Sequence, residues 1–433
     1  MEAHQMKTLK GKPTGGLHGT LVVPGDKSIS HRGIMLGAIS EGTTKLSHFL
    51  TSADCLSTLA AFQQLGVPIE RVGTNVTIQG VGLHGLHASG QPLDMGNSGT
   101  TTRLIMGLLA GQNFDTTLIG DQSLSKRPMR RVSEPLARMG ATIETTDGHL
   151  PVTIKGRRLR ATHYQLKVAS AQVKSAMILA ALQATEPSTL TELLPTRDHT
   201  ERMLTAFGGQ INTAADGVTI TVQPQPHLFG QTMTVPGDMS SAAFFITAAS
   251  LVPGSTITLK DVGLNKTRTG LLDILRRMGG KVTISTEPTN GEPIGDLTVQ
   301  SADLKPIEIG KDDIPAVIDE LPLVALLAAK ANGVSRITGA EELRVKETDR
   351  ISAIVTEFKK LGIAIEELPD GFVIDGRKPW RVTDPNLDAH DDHRIGMVLG
   401  IAALLVDTPV TLTGAESVGI SYPAFFDDLD KLL

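Results

Sequence analysis

A single cysteine, Cys55, stands in this chain of 433 residues. One thiol excludes an intrachain disulfide and fits a reducing compartment, so a cytoplasmic location is expected. Aromatic residues make up only 3% of the chain, against 44 glycines, so its helices must pack through small side chains and aliphatics. No apolar stretch is long. The two longest, 321–329 and 397–406, fall short of the roughly 18 residues that suggest a membrane span. Residues 1–20 hold no apolar core of a secretory signal. Basic residues are not in excess either. The formal net charge of −5 argues against bulk nucleic-acid binding, and any anionic ligand must be held by locally concentrated cations. No Ser-His-Asp or Cys-His grouping stands out as nucleophile and base. His390 and His393 are three apart with Asp391 and Asp392 between them, but no second His/Cys cluster accompanies them, so no metal is expected.

What is present is repetition. Val23-Pro24-Gly25-Asp26-Lys27-Ser28 returns as Val235-Pro236-Gly237-Asp238-Met239-Ser240, an offset of 212 residues from Pro24 to Pro236. The chain is too long for one ordinary core, and the offset divides it near its middle. Each half divides again. A helix rich in small residues leads to a Thr/Ser-rich strand, a loop, a second helix and another strand. The second helices stop at Leu65-Gly66, Met139-Gly140, Phe207-Gly208, Met278-Gly279 and Leu361-Gly362, and a sixth unit closes the chain without its glycine. Glycine at such a stop supplies the left-handed conformation past a helix end. Units of roughly 50–70 residues lie in the range of repeat architectures. The reading is an α/β (α+β) fold of two similar domains with three units each. The expected domains are residues 1–22 with 236–433, and residues 23–235. A first strand near residues 7–12 is expected to pair with the second half, and two chain crossings would hinge a ligand cleft.

The starts of the first helices carry the chemistry. They contain Gly25-Asp26-Lys27-Ser28-Ile29-Ser30-His31-Arg32, Gly96-Asn97-Ser98-Gly99-Thr100-Thr101-Thr102-Arg103, Ser170-Ala171-Gln172-Val173-Lys174-Ser175, Asp238-Met239-Ser240-Ser241, Ile318-Asp319-Glu320 and Asp391-Asp392-His393-Arg394. Asp, Asn and Ser are helix caps, so six caps is one reading. The other is an anion site, because helix N-termini present N–H groups and a positive dipole end. Lys27 and Arg32 would then meet ligand. The spacing is not that of a P-loop. Lys126 and Arg127, before Pro128, could reach an anion or sit on a solvated loop. The segment Arg344-Val345-Lys346-Glu347-Thr348-Asp349-Arg350 is dense in charge. As a surface helix it would gain only ~0.3–0.5 kcal/mol per ion pair. At a cleft, its carboxylate could exchange protons while its cations hold an anionic substrate.

Taken together and in order, GDKSISHR, GNSGTTTR, SKRP, SAQVKSA, VKETDR and DDHR resemble the 5-enolpyruvylshikimate-3-phosphate synthase family of enolpyruvyl transferases. The resemblance runs from Pro24 to Pro423. It implies two domains of three βαβαββ units, each set around a pseudo-threefold axis as an inside-out α/β barrel. It implies transfer of the enolpyruvyl group of phosphoenolpyruvate to the 5-hydroxyl of shikimate-3-phosphate, with release of phosphate, in the shikimate pathway. The partners implied are these two small molecules, with no cofactor, metal, nucleic acid or membrane, and a monomer is expected. By the same resemblance Lys27, Ser28, Arg32, Ser170, Ala171, Gln172, Arg197, Asp319 and Lys346 fall at shikimate-3-phosphate positions. Lys27, Gly99, Arg127, Gln172, Arg350 and Arg394 fall at phosphoenolpyruvate positions. Asp319, Glu347 and Lys27 fall at catalytic ones: Asp319 accepts the 5-hydroxyl proton, and Glu347 donates or shuttles one. Gly99 leaves room for the phosphonate analogue glyphosate.

Three departures from one branch of the family stand out. Ala171 replaces a second serine, and Ile420 replaces a lysine. The segment 314–319 is spaced differently, which leaves Asp313 as an alternative to Asp319. Asp319 is preferred because it begins the repeat's small-residue helix. A sister transferase acting on UDP-N-acetylglucosamine is the nearest rival, but it carries a reactive cysteine in the loop matching 121–127, and this chain has none there. A non-catalytic anion-binding repeat scaffold is a rival of another class, against which Asp319 and Glu347 argue.

Overall fold

A computed structural model of the chain describes residues 6–287 and 292–433. These divide into two compact units, Gly25–Val235 and a second made of Met1–Pro24 with Pro236–Leu433. Among the described residues, six small mixed sheets recur across the units, five of four strands and one of three. In each, an outer strand runs parallel to its neighbour, as Leu93–Asp94 does beside Asp115–Ile119. The neighbour runs antiparallel to a third, as Asp115–Ile119 does to His149–Lys155. No sheet closes into a barrel among the described residues.

Strand pairing explains where each unit begins and ends. In Gly25–Val235 the strand Thr232–Thr234 pairs in parallel with Glu41–Ser47, so the end of the unit completes its first sheet. In the other unit, His18–Val22 pairs in parallel with Thr256–Gly263. The first strand is Met6–Thr8, earlier and shorter than expected, and it pairs antiparallel with Thr411–Thr413. Leu9 adds one more bond, its N–H donating to Val410 O at 3.0 Å. Gly11 and Pro13 then end the ladder, since neither suits a strand interior.

Two of the repeat's first helices are apolar on nearly every side. Met239–Leu251 buries nearly every residue, and Leu321–Ala328 buries all of its own. Helices of this pattern belong inside a core. The second helices end as the sequence predicts. Gly66, Gly140, Gly208, Gly279 and Gly362 have φ of +90°, +89°, +95°, +86° and +81°, a region that costs residues with a Cβ strain.

Candidate active site

Five of the six first helices start at a side-chain cap. Asp26 accepts from Ile29 N–H at 2.9 Å, and Ser98 accepts from Thr101 N–H at 3.1 Å. Ser170 accepts from Val173 N–H at 3.4 Å, Asp238 from Ser240 N–H at 2.7 Å, and Asp392 from Arg394 N–H at 2.8 Å. Caps fix where each helix starts, and thereby which way the next residues point. The capping reading is therefore right for these five.

In Gly25–Val235, the cap at Asp26 sets Lys27 as the first helical residue. The Lys27 ammonium pairs with Asp54 and its side chain stays 21% exposed. Arg32 is buried. Its Nε donates to Thr200 Oγ1 at 2.7 Å, Nη1 to Ser28 O at 3.0 Å and Nη2 to Ser175 Oγ at 2.8 Å. Ser28 and Arg197 are half-buried, Arg197 in the loop before the helix His199–Ala206. Ala171 is the first residue of Ala171–Ala181, behind Ser170. Gln172 is held from both sides: Arg103 Nη1 donates to its Oε1 at 2.5 Å, and its Nε2 donates to Thr100 Oγ1 at 2.9 Å.

Gly99 opens the helix Gly99–Ala110. A Cβ built on it would lie 3.2 Å from Arg127 Nη1, so the two predicted residues are neighbours. Arg127 is buried rather than on a solvated loop. Its Nη2 donates to Asn97 Oδ1 at 2.6 Å, and Asn97 Nδ2 donates to Asp121 Oδ2 at 2.7 Å. Cys55 is buried, and burial pushes its thiol well above the usual range, so it is no ready nucleophile.

The other unit holds the second cluster. Asp319 lies in a one-turn 3-10 helix, Ile318–Glu320, that precedes Leu321–Ala328. Neither helix has a side-chain cap bond. This is the one repeat whose carboxylate does not spend itself on the helix start. Instead Asp319 faces cations: Arg350 Nη1 at 3.5 Å, Arg394 Nη2 at 3.8 Å and Lys346 Nζ at 3.9 Å. The alternative, Asp313, is tied to Arg277 at 2.8 Å on a half-exposed surface. Glu347 accepts from Arg350 Nη2 at 2.7 Å.

Arg350 is 1% exposed, which rules out the surface-helix reading of its segment. Asp392 accepts from its Nε at 2.8 Å, so a helix cap also fixes the guanidinium plane. Burial holds Lys346 below the ordinary lysine range, partly offset by Asp319. Arg394 also lies 3.7 Å from Glu320, itself buried. His390, one of the two metal candidates, is bound by its Nε2 to Glu357 at 2.9 Å. Among the described residues, no group of three or more His, Cys, Asp or Glu side chains is placed to hold a metal.

Sequence reading missed the partners that fix these groups: Asp54, Arg103, Thr200, Ser175 and Glu320. Arg103 and Ser175 stand inside quoted motifs, and Glu320 adjoins Asp319. Asp54 and Thr200 carry no local signal.

A cavity of about 660 Å³ lies in Gly25–Val235, lined by Gln112, Arg157, Arg158 and Gln183 among others. It is distinct from the predicted residues, because Gly111 and Gln183 follow the C-terminal ends of Gly99–Ala110 and Ala171–Ala181. Carbonyl ends of helices disfavour anions, whereas the predicted residues gather at the N–H ends.

The sequence-family profile described as EPSP synthase (3-phosphoshikimate 1-carboxyvinyltransferase) matches residues 12–429. The 3-phosphoshikimate 1-carboxyvinyltransferase of Lactiplantibacillus plantarum is 64% identical over 427 residues, covering 99% of both chains. That of Limosilactobacillus fermentum is 54% identical, covering 96% of this chain and 97% of its own. The solved structure of EPSP synthase from Acinetobacter baumannii superposes with a TM-score of 0.87 at 44% identity, covering 99% of this chain and 98% of that one.

Proposed function

Because the chain belongs to the EPSP synthase family, we infer its chemistry from the groups it gathers. It is a 3-phosphoshikimate 1-carboxyvinyltransferase, joining shikimate-3-phosphate and phosphoenolpyruvate. The 5-hydroxyl oxygen of shikimate-3-phosphate bonds to C2 of phosphoenolpyruvate as C3 gains a proton and the hydroxyl loses one. The tetrahedral adduct then loses a proton from C3, the C2–O bond to phosphate breaks, and phosphate leaves. Both substrates are polyanions, so catalysis needs fixed cations, positioning and two proton relays.

The roles of individual residues are our proposal. Lys27, Ser28, Arg32, Ser170, Gln172, Arg197 and Lys346 bind shikimate-3-phosphate. Ala171 offers only its backbone at the helix start. Lys27, Gly99, Arg127, Gln172, Arg350 and Arg394 bind phosphoenolpyruvate. Asp319 takes the hydroxyl proton, and Glu347 serves the proton exchange at C3. The observation that carries this reading is the setting of Asp319, uncommitted to capping and within 3.5–3.9 Å of three cations. The two compact units are taken as the domains. No helix among the described residues is long and apolar enough to cross a membrane, and we propose a cytoplasmic monomer.

The test is phosphate release from phosphoenolpyruvate by the purified protein. Release is expected only when shikimate-3-phosphate is present. No release with both substrates, or equal release without shikimate-3-phosphate, overturns the reading. Glyphosate is expected to inhibit in competition with phosphoenolpyruvate, and an inhibition titration that shows no competition counts against the role of Gly99.

A further inference from the structure

The motif Ser170-Ala171-Gln172-Val173-Lys174-Ser175 contains a lysine that the reaction above does not use. Lys174 is fully buried within Ala171–Ala181, a costly position for an ammonium unless its partners are fixed. Its Nζ lies 2.7 Å from Glu201 Oε1 and 3.2 Å from Glu192 Oε2, and it donates to Thr196 O at 3.3 Å. Glu192 in turn accepts from Thr196 N–H at 3.2 Å and from the Thr196 hydroxyl. These bonds tie the loop between the strand Ser188–Thr191 and the helix His199–Ala206 to the helix Ala171–Ala181.

The residues next to this triad hold two of the proposed shikimate-3-phosphate cations. Arg197 directly follows Thr196. Thr200, beside Glu201, accepts from Arg32 Nε at 2.7 Å. Ser175, beside Lys174, accepts from Arg32 Nη2 at 2.8 Å and shares a 2.6 Å bond with Thr200. Ser170 caps the same helix that carries Lys174. The buried triad thus adjoins Thr200 and Ser175, two of the partners of Arg32, bonds to Thr196 next to Arg197, and shares a helix with Ser170.

We propose that Lys174, with Glu192 and Glu201, is a positioning triad for the shikimate-3-phosphate site, fixing the Arg197 loop and the Arg32–Thr200–Ser175 network. The proposal rests on the substrate assignment above. It predicts a specific kinetic signature, because a misplaced binding group away from the chemistry can cost roughly ten- to a hundredfold. Lys174→Met should raise the KM for shikimate-3-phosphate about tenfold or more and change the KM for phosphoenolpyruvate far less. Lys174→Arg, which keeps the charge, should restore most of the lost affinity. If Lys174→Met does not fold, Glu201→Gln is read instead by calorimetric titration with shikimate-3-phosphate, and the same selective loss is expected.

Arg32→Ala and Arg197→Ala are measured alongside. If neither weakens shikimate-3-phosphate, the assignment of the site is wrong. If they do, and a folded Lys174 or Glu201 variant binds like wild type or loses both substrates equally, the triad has no positioning role.

Discussion

The first and fourth repeats open with six-residue frames that match at five positions, and they put them to different uses. Val23-Pro24-Gly25-Asp26 and Val235-Pro236-Gly237-Asp238 both bring backbone close to a neighbour and then cap a helix. A Cβ on Gly25 would lie 1.9 Å from His48 O, and one on Gly237 would lie 2.9 Å from Val23 Cγ2. Larger residues are excluded from both by close approach. Asp26 and Asp238 each accept N–H bonds from the first turn. The next residue separates the copies. Lys27 keeps its side chain partly exposed, with its ammonium beside Asp54, whereas Met239 is 1% exposed in the apolar core. The neighbouring serine diverges too, since Ser240 donates to buried Glu320 and accepts from Arg268 Nη2 at 2.8 Å. Architecture is thus carried by what the copies share, and charge chemistry by what they do not.

The hardest test of that separation is Lys27→Met, which writes the fourth repeat's residue into the first. The helix and its Asp26 cap should survive, because Met239 fills the same position without harm. Removing a cation proposed to meet both substrates should lower kcat/KM by roughly 10³-fold. Wild-type turnover with a normal circular dichroism spectrum would break the comparison.

Asp319 extends the comparison to the fifth repeat, where the carboxylate is not a cap. Asp319→Asn should reduce kcat by roughly 10²–10³-fold with little change in stability, as expected for loss of a general base. Asp313→Asn, which weakens a half-exposed pair with Arg277 and a turn bond from Gly310 N–H, should keep kcat near wild type. The reverse ranking in steady-state assays would move the base to Asp313.

These positions also show what a sequence can and cannot say. The repeat was legible because helix stops such as Gly66 and Gly362 demand positive φ, and such a demand leaves a glycine in the text. The caps were legible for the same local reason. The strand Met6–Thr8 gave only its preference for the second half, because its partner Thr411–Thr413 is chosen by sheet register and not by neighbours in sequence. Motif residues such as Lys27, Gln172 and Arg350 could be named in advance. Their anchors were harder to name: Asp54 meets Lys27 only when the two helices of the first repeat pack together, and Arg103 reaches Gln172 only through packing between repeats. The segment holding Arg350 read equally well as a surface helix until its burial against Asp392 was known.

Met239→Lys runs the first exchange backwards. An ammonium would replace a thioether inside the core cluster of its unit. Burying a charge without a prepared partner should cost about 3 kcal/mol of stability, seen as a lower urea midpoint. A midpoint equal to wild type would mean that this core admits a lysine, and that Met239 is not a packing choice.

The finest comparison is between the two caps themselves. Asparagine caps helices about as well as aspartate, so Asp26→Asn should cost no more than about 0.5 kcal/mol. Asp238→Asn keeps the cap acceptor but weakens the contact with Arg268 Nη2, 3.4 Å away. Its excess cost should be about 1 kcal/mol, since a charged bond at that distance and imperfect geometry is worth less than a close one. Urea titration of both variants resolves the difference. Equal losses would mean that Arg268 draws nothing from the cap, and that Asp238 repeats Asp26 in every respect. A larger loss at Asp238 would show that even the shared residue of the frame has taken on separate work in the fourth repeat, holding the arginine that reaches Ser240 and, through it, Glu320.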